Sequence, residues 1–173
     1  MKSRVMVFAA FVLISAPAVG GVGSRLSAQD IGLEIGTPGP AAKVETLDGK
    51  PADVAQYVGK KPALLEFWAT WCPNCRELEP TMKAMHAKYA SRVNFLGVAV
   101  SVNQSTERVK AYVATHRLPW PQVFDRRGNS SGAYDAPATS YVVVLDRAGK
   151  VVYTGLGGKQ DLEAAIRKAL AGG

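Results

Sequence analysis

The stretch FWATWCPNCRELEP, Phe67–Pro80, holds both cysteines of a 173-residue chain, Cys72 and Cys75, separated by two residues and bracketed by tryptophan and proline. Just before it, PALLEFW is a near-continuous apolar run, the pattern of a strand covered on both faces of its sheet. Just after it, Leu78, Met82, Met85 and Tyr89 fall at offsets 0, 4, 7 and 11, which predicts the buried stripe of a helix from about Pro73 to Ala90. Cys72 therefore stands where a strand hands over to a helix. Unpaired backbone N–H groups and the helix dipole favour negative charge there, so its thiol pKa should fall. Pro73 suits the first helical position, because its missing N–H would have had no partner. Cys75, one turn on, can close a small ring with Cys72 and is expected to be the more enclosed of the two. An attacking Cys72 and a resolving Cys75 follow from this placement.

Other uses of two cysteines fit less well. A zinc site takes four ligands, and only His86 and His116, in distant helical positions, could complete one; no metal is expected. Covalent haem attachment needs a histidine directly after the second cysteine, and Arg76 stands there. A structural staple is the bland alternative for an exported protein, but a very short loop removes little entropy from the unfolded chain. Redox exchange leads, with no cofactor beyond the Cys72–Cys75 couple itself.

Hydrophobic residues at 47% and charged residues at 20% are ordinary globular values. The net charge is +7, yet Lys2, Arg4 and Arg25 flank the N-terminal apolar stretch; without them 18 basic residues face 14 acidic ones, a net +4. The remainder is scattered, so nucleic-acid binding is not expected. Residues 1–28 read as an export element, with a basic start and no charge from Val5 to Gly23. It is a signal peptide cut after Ala18, Gly20 or Ala28, or an uncut membrane anchor. Residues 29–40, rich in Gly and Pro, read as a linker and 41–173 as one domain.

Within that domain AKVETLDGKP predicts a short strand ending in a turn at Asp48-Gly49, and VNFLGVAVSV a buried strand. Ser105 is placed to cap a helix whose Val109, Tyr112 and Val113 share a face. A short strand QVF, the hairpin SYVVVLD–RAG–KVVYTG and a final helix burying Leu162, Ala165, Ile166, Ala169 and Leu170 complete the chain. The order β-α-β-α-β-β-α, with an extra strand in front, describes an α/β thioredoxin-like fold: a mixed central sheet flanked by helices, with a central βα insertion.

LLEFWATWCPNCRELEP resembles the active-site segment of the thioredoxin superfamily, and residues 36–170 resemble the TlpA/ResA-like extracytoplasmic thiol-disulfide oxidoreductases. Trp68, Trp71, Cys72, Cys75 and the helix-kinking Pro80 match that motif. YDAPATSYVVVLDRAGKVV resembles the family's substrate loop. That resemblance implies a cis Ala136–Pro137 bond facing the cysteines, with the Ala136 backbone binding an extended substrate. Thr139 is a hydrogen-bonding loop residue or a plain strand residue. Trp71, Pro73 and Pro137 would form an apolar docking surface, and Asn74 and Arg76 would tune the thiolate, unless Arg76 is merely solvated. Glu66 lies six residues before Cys72, where thioredoxins carry a buried acid. Burial should raise its pKa and let it take a proton from Cys75, directly or through water; the alternative is that it reaches solvent or pairs with a lysine such as Lys60 or Lys61. His86 and His116 are expected on helix surfaces, without a role.

The resemblance further implies a monomer that reduces cysteine-containing exported proteins, as in cytochrome c maturation or metal-centre assembly. Its electrons would come from a membrane thiol-transfer protein. Disulfide donation is the alternative direction. A peroxiredoxin-like peroxidase would need that family's threonine and second proline around its cysteine, an arrangement that TWCPNC does not supply, and a non-catalytic binding module would resist reduction.

Overall fold

A computed structural model describes residues 32–172; the export element expected over residues 1–28, and residues 29–31 of the expected linker, lie outside the described residues. The elements run β1 (Lys43–Thr46), β2 (Pro51–Asp53), α1 (Ala55–Val58), β3 (Ala63–Trp68), α2 (Pro73–Tyr89), β4 (Asn94–Val100), α3 (Thr106–His116), β5 (Gln122–Asp125), α4 (Asn129–Ala133), β6 (Tyr141–Leu145), β7 (Val151–Leu156) and α5 (Leu162–Ala171). The strands make one seven-stranded sheet in the order β2-β1-β5-β4-β3-β6-β7. β3, β4 and β5 are parallel, while β6 pairs antiparallel to both β3 and β7. This is the thioredoxin-like arrangement that the order of elements predicts.

β3 lies between β4 and β6 and is buried along its whole length. Side chains alternate along a strand, so Leu65 and Phe67 join Tyr134, Tyr141 and Val143 on one face. Leu64 joins Leu78, Met82 and Ile166 on the other. Glu66 and Trp68 share the face of Leu64, beneath α2. The buried residues of α2 include Leu78, Met82, Met85 and Tyr89, the stripe read from spacing, and Pro80 lies inside the helix. In α5 the buried residues are Leu162, Ala165, Ile166 and Ala169. Ser105 caps α3, its hydroxyl accepting the Arg108 N–H at 3.3 Å. Ser105→Ala should lower stability by about 1 kcal/mol in urea unfolding, and an unchanged midpoint would show the cap to be idle.

Three short elements escape sequence reading, because neighbours rather than their own residues hold them. β2 exists as the edge partner of β1, across a turn in which Gly49 takes φ 76°. α1 spans four residues, too few for its own periodicity to show. α4 is held by Asp125, whose buried carboxylate accepts the Ser130 and Ser131 N–H groups and the Ser131 hydroxyl. The described part of the expected linker also lies on the domain. Gly36 donates to the Val151 carbonyl and Gly39 to that of Gly149, while the Val151 N–H is accepted by Thr37.

Candidate active site

Cys72 is the N-cap of α2, in extended conformation, and Pro73 is the first helical residue. The two cysteines are joined as a disulfide with their Cα atoms 5.3 Å apart. The Cys75 N–H donates to Cys72 Sγ at 3.1 Å. On reduction the same helix start would aim that N–H and the dipole at a Cys72 thiolate. Cys72 is no more open than Cys75, however: they are 3% and 6% exposed, against the expectation that Cys75 would be the more enclosed. Both cysteines belong to one buried cluster with Trp68, Val109 and Phe124.

Two hydrogen bonds tie the residues before Cys72 to the loop after β4. The Gln104 carboxamide accepts the Thr70 N–H at 2.9 Å and donates to the Val100 carbonyl. The Trp71 indole N–H donates to the Val102 carbonyl at 2.8 Å. Trp71 is still 37% exposed and Val102 58%. Beside them opens a groove of about 480 Å³, lined by Trp71, Val100, Val102, Ala136, Ala138 and Thr139 among others. Trp71, Ala136 and Thr139 thus come together. Pro73 and Pro137 are exposed but do not line the groove, and Asn74 and Arg76 are exposed on α2.

The cis Ala136–Pro137 bond is not found: no peptide bond among the described residues is cis. The loop turns by other means. Asp135 and Ser140 take left-handed φ values of 45° and 65°. The Ala136 N–H is already donated to the Ser131 carbonyl at 2.9 Å. Ser140 is pinned on two sides, its N–H to Phe67 and its hydroxyl to the Gly157 carbonyl. With these two residues supplying the bend, the chain enters β6 through a trans proline.

Glu66 is 5% exposed, and its Oε1 has no hydrogen-bond partner. Burial, and secondly the charge of Glu79, push its carboxyl up to about 8. Pairing with lysine is not what the fold does, since Lys61 turns away to the Ser91 carbonyl and Lys60 is exposed. In the β3–β4 register Glu66 faces Gly97. A Cβ on Gly97 would collide with the Gln122 carboxamide, which accepts the Trp68 indole N–H at 3.0 Å. Glu66, Cys75 and Glu79 line one cavity of about 10 Å³, close to the smallest that holds a water.

Glu79 is the residue that sequence reading passed over, although it stands one turn after Cys75 on the same helix face. Burial raises its pKa, but the hydrogen bonds it shares with Lys83, Tyr112 and His116 outweigh that and leave the carboxyl below its ordinary range. His116 is likewise no idle surface residue: its Nδ1 lies 2.8 Å from Glu79 Oε2. His86 packs edge-on against Phe95 at 5.1 Å. Gln104 carries no sequence signal, because its two bonds depend on how separate loops meet.

A disulfide-bonded Cys-x-x-Cys at a helix start, on this sheet, joins the fold to a chemistry, and the comparison with known proteins agrees. The redoxin family matches residues 34–170. The chain belongs to the redoxin family. This redoxin is 29% identical over 143 residues to the thioredoxin-like protein YneN of Bacillus subtilis, covering 81% of this chain and 83% of YneN. It is 28% identical to the thiol-disulfide oxidoreductase ResA of Bacillus thuringiensis, over 79% of each chain. A crystal structure of a thiol:disulfide interchange protein from Chlorobium tepidum superposes with a TM-score of 0.63 at 27% identity, over 80% of this redoxin and 97% of that chain. Its enzyme class is that of a thiol-disulfide oxidoreductase.

Proposed function

We propose that this redoxin is an exported protein-disulfide reductase. In the reducing direction, the Cys72 thiolate attacks a substrate disulfide; one substrate sulfur leaves as a thiolate and the other is held to Cys72 as a mixed disulfide. Cys75 then attacks the Cys72 sulfur, closing the Cys72–Cys75 disulfide and expelling the second substrate thiolate. The carrying observation is the placement of Glu66 and Cys75 on one water-sized cavity, with Trp71, the residue before Cys72, on the wall of an apolar groove. A carboxyl near pH 8 is closely matched to a free thiol near 8.5, so a proton can pass between them in either direction with little driving force. Glu66 is thus suited to receive the Cys75 proton during resolution and to return it when the disulfide is reopened.

Trp71 and the groove residues Ala136 and Thr139 would seat the apolar segment around a substrate cysteine. Export is supported by Lys2, Arg4 and the uncharged residues 5–23. Outside the cytoplasm the oxidised pair must be re-reduced, and a membrane thiol-transfer protein would supply the electrons. The substrates would be cysteine-containing exported proteins, such as those of cytochrome c maturation or metal-centre assembly.

The deciding experiment is the reduction potential of the couple, by equilibration in graded dithiothreitol and glutathione buffers with the thiol states separated by alkylation. A value at or below about −230 mV is expected, on the thioredoxin side of the known range. A value near about −120 mV, typical of strong disulfide donors, would reverse the direction.

A further inference from the structure

We infer that Glu79 and His116 form the outlet by which the proton taken up at Glu66 reaches solvent. The inference rests on the role of Glu66 in resolution proposed above. Glu66 is enclosed and its carboxyl, near 8, holds a proton at pH 7, so that proton needs a path out before Glu66 can take the one from Cys75. The cavity it shares with Cys75 leads to one other ionisable carboxylate, Glu79, whose side chain is 14% exposed. From Glu79 three groups reach outward. Lys83 Nζ binds Glu79 Oε1 at 2.7 Å and the His116 carbonyl at 2.6 Å. The Tyr112 hydroxyl donates to Oε2 at 2.9 Å, and His116 Nδ1 lies 2.8 Å from the same oxygen.

These three groups are not equivalent. An ammonium has donors but no lone pair to accept a proton, so Lys83 can neutralise Glu79 without carrying its proton away. The Tyr112 phenol is pushed well above its ordinary range, first by burial and then by its bond to Glu79, so it donates and orients. An imidazole can accept on one nitrogen and release from the other. The His116 side chain is 34% exposed, and its ring is stacked on Tyr112 at 3.7 Å and 12° between planes. Among the groups facing this path, Arg76 acts on Tyr112 from α2, and the neighbours of Glu66 across the sheet, Gly97 and Val142, carry no charge. Lys83 also has both an inward partner and a solvent face, but of these groups the ring of His116 alone combines them with a nitrogen that can accept a proton.

The proton balance is simple. The Glu66 proton first passes to Glu79 and from Glu79 Oε2 to His116 Nδ1, while the other ring nitrogen releases its own proton to solvent; exchange with water then restores the first tautomer. As Cys75 Sγ bonds to Cys72 Sγ, its proton moves to the emptied Glu66 through the cavity and the substrate leaves as a thiolate, so all three groups end as they began. Glu79 and His116 touch no sulfur and are positioning residues.

The test uses a mixed disulfide between Cys72 and thionitrobenzoate, made by mixing the reduced protein with Ellman's reagent. Attack by Cys72 releases one thionitrobenzoate and resolution by Cys75 a second, both read by absorbance. In weak buffer at pH 7, His116→Phe, which keeps an aromatic ring on Tyr112, should slow the second release roughly tenfold, less than the ~100-fold that loss of a general base itself costs. Free imidazole should restore the mutant rate and leave the wild-type rate unchanged. His116→Gln should behave alike, so failure of one variant to fold leaves the other to decide. An unchanged second release, or a slowing that imidazole and other small buffers do not relieve, overturns the outlet. A wild-type protein that releases only one thionitrobenzoate overturns the dithiol mechanism instead, and the outlet with it.

Discussion

Between pH 4 and pH 9 the stability of Glu66→Gln relative to wild type should rise by about 5 kcal/mol in urea unfolding. The sign follows from a carboxyl whose folded pKa, about 8, lies above the ordinary 4.5. Below pH 4.5 the group is protonated in both states and burial carries no charge penalty. As pH rises from 4.5 to 8 the unfolded chain releases its proton while the folded one retains it, so wild-type stability declines through that window. Above 8 the full penalty is present. Glutamine has no proton to lose, so the decline should vanish. Its amide leaves a buried polar group short of partners, a loss of about 1–3 kcal/mol that does not vary with pH, so the pH dependence of the difference is the diagnostic quantity. The same variant should slow resolution roughly 100-fold and leave attack by Cys72 intact. Parallel stability curves for variant and wild type would mean that Glu66 is not held protonated in the fold.

The second large effect is expected of Cys75→Ser. Cys72 still attacks, but a serine hydroxyl does not displace a thiolate from the mixed disulfide, so the adduct persists and turnover falls roughly 1,000-fold or more. Unfolding is not the cause, because a ring this short contributes about 2 kcal/mol by loop entropy. Intact-mass analysis under non-reducing conditions should find a substrate or glutathione adduct on Cys72 in the variant and none in wild type. Equal adduct in both, with turnover preserved, would remove Cys75 from the resolving role.

Much of this was legible in the residues. The α2 stripe, the Ser105 cap and the strand-to-helix junction at Cys72 are set by local periodicity and capping, and the structure reproduces them. Burial of Glu66 followed from its place in an unbroken apolar strand. The bend at Ala136–Pro137 did not follow, because the fold makes it through Asp135 and Ser140, and a left-handed Ser140 depends on the partners Phe67 and Gly157, distant in sequence. Gln104 and His116 were invisible for the same reason: each acts across a gap that only the packed fold defines.

The chemistry and the groove come from different parts of the chain. Glu66, Cys72, Cys75 and Glu79 lie within fourteen consecutive residues on one strand and one helix, whereas the groove beside Trp71 is walled by residues 100–102 and 125–139. The two sulfurs and both carboxyls thus sit in one block of the chain, while the residues that wall the groove lie outside it. Replacing those two segments with others of equal length should therefore change client choice while leaving the reduction potential where it was.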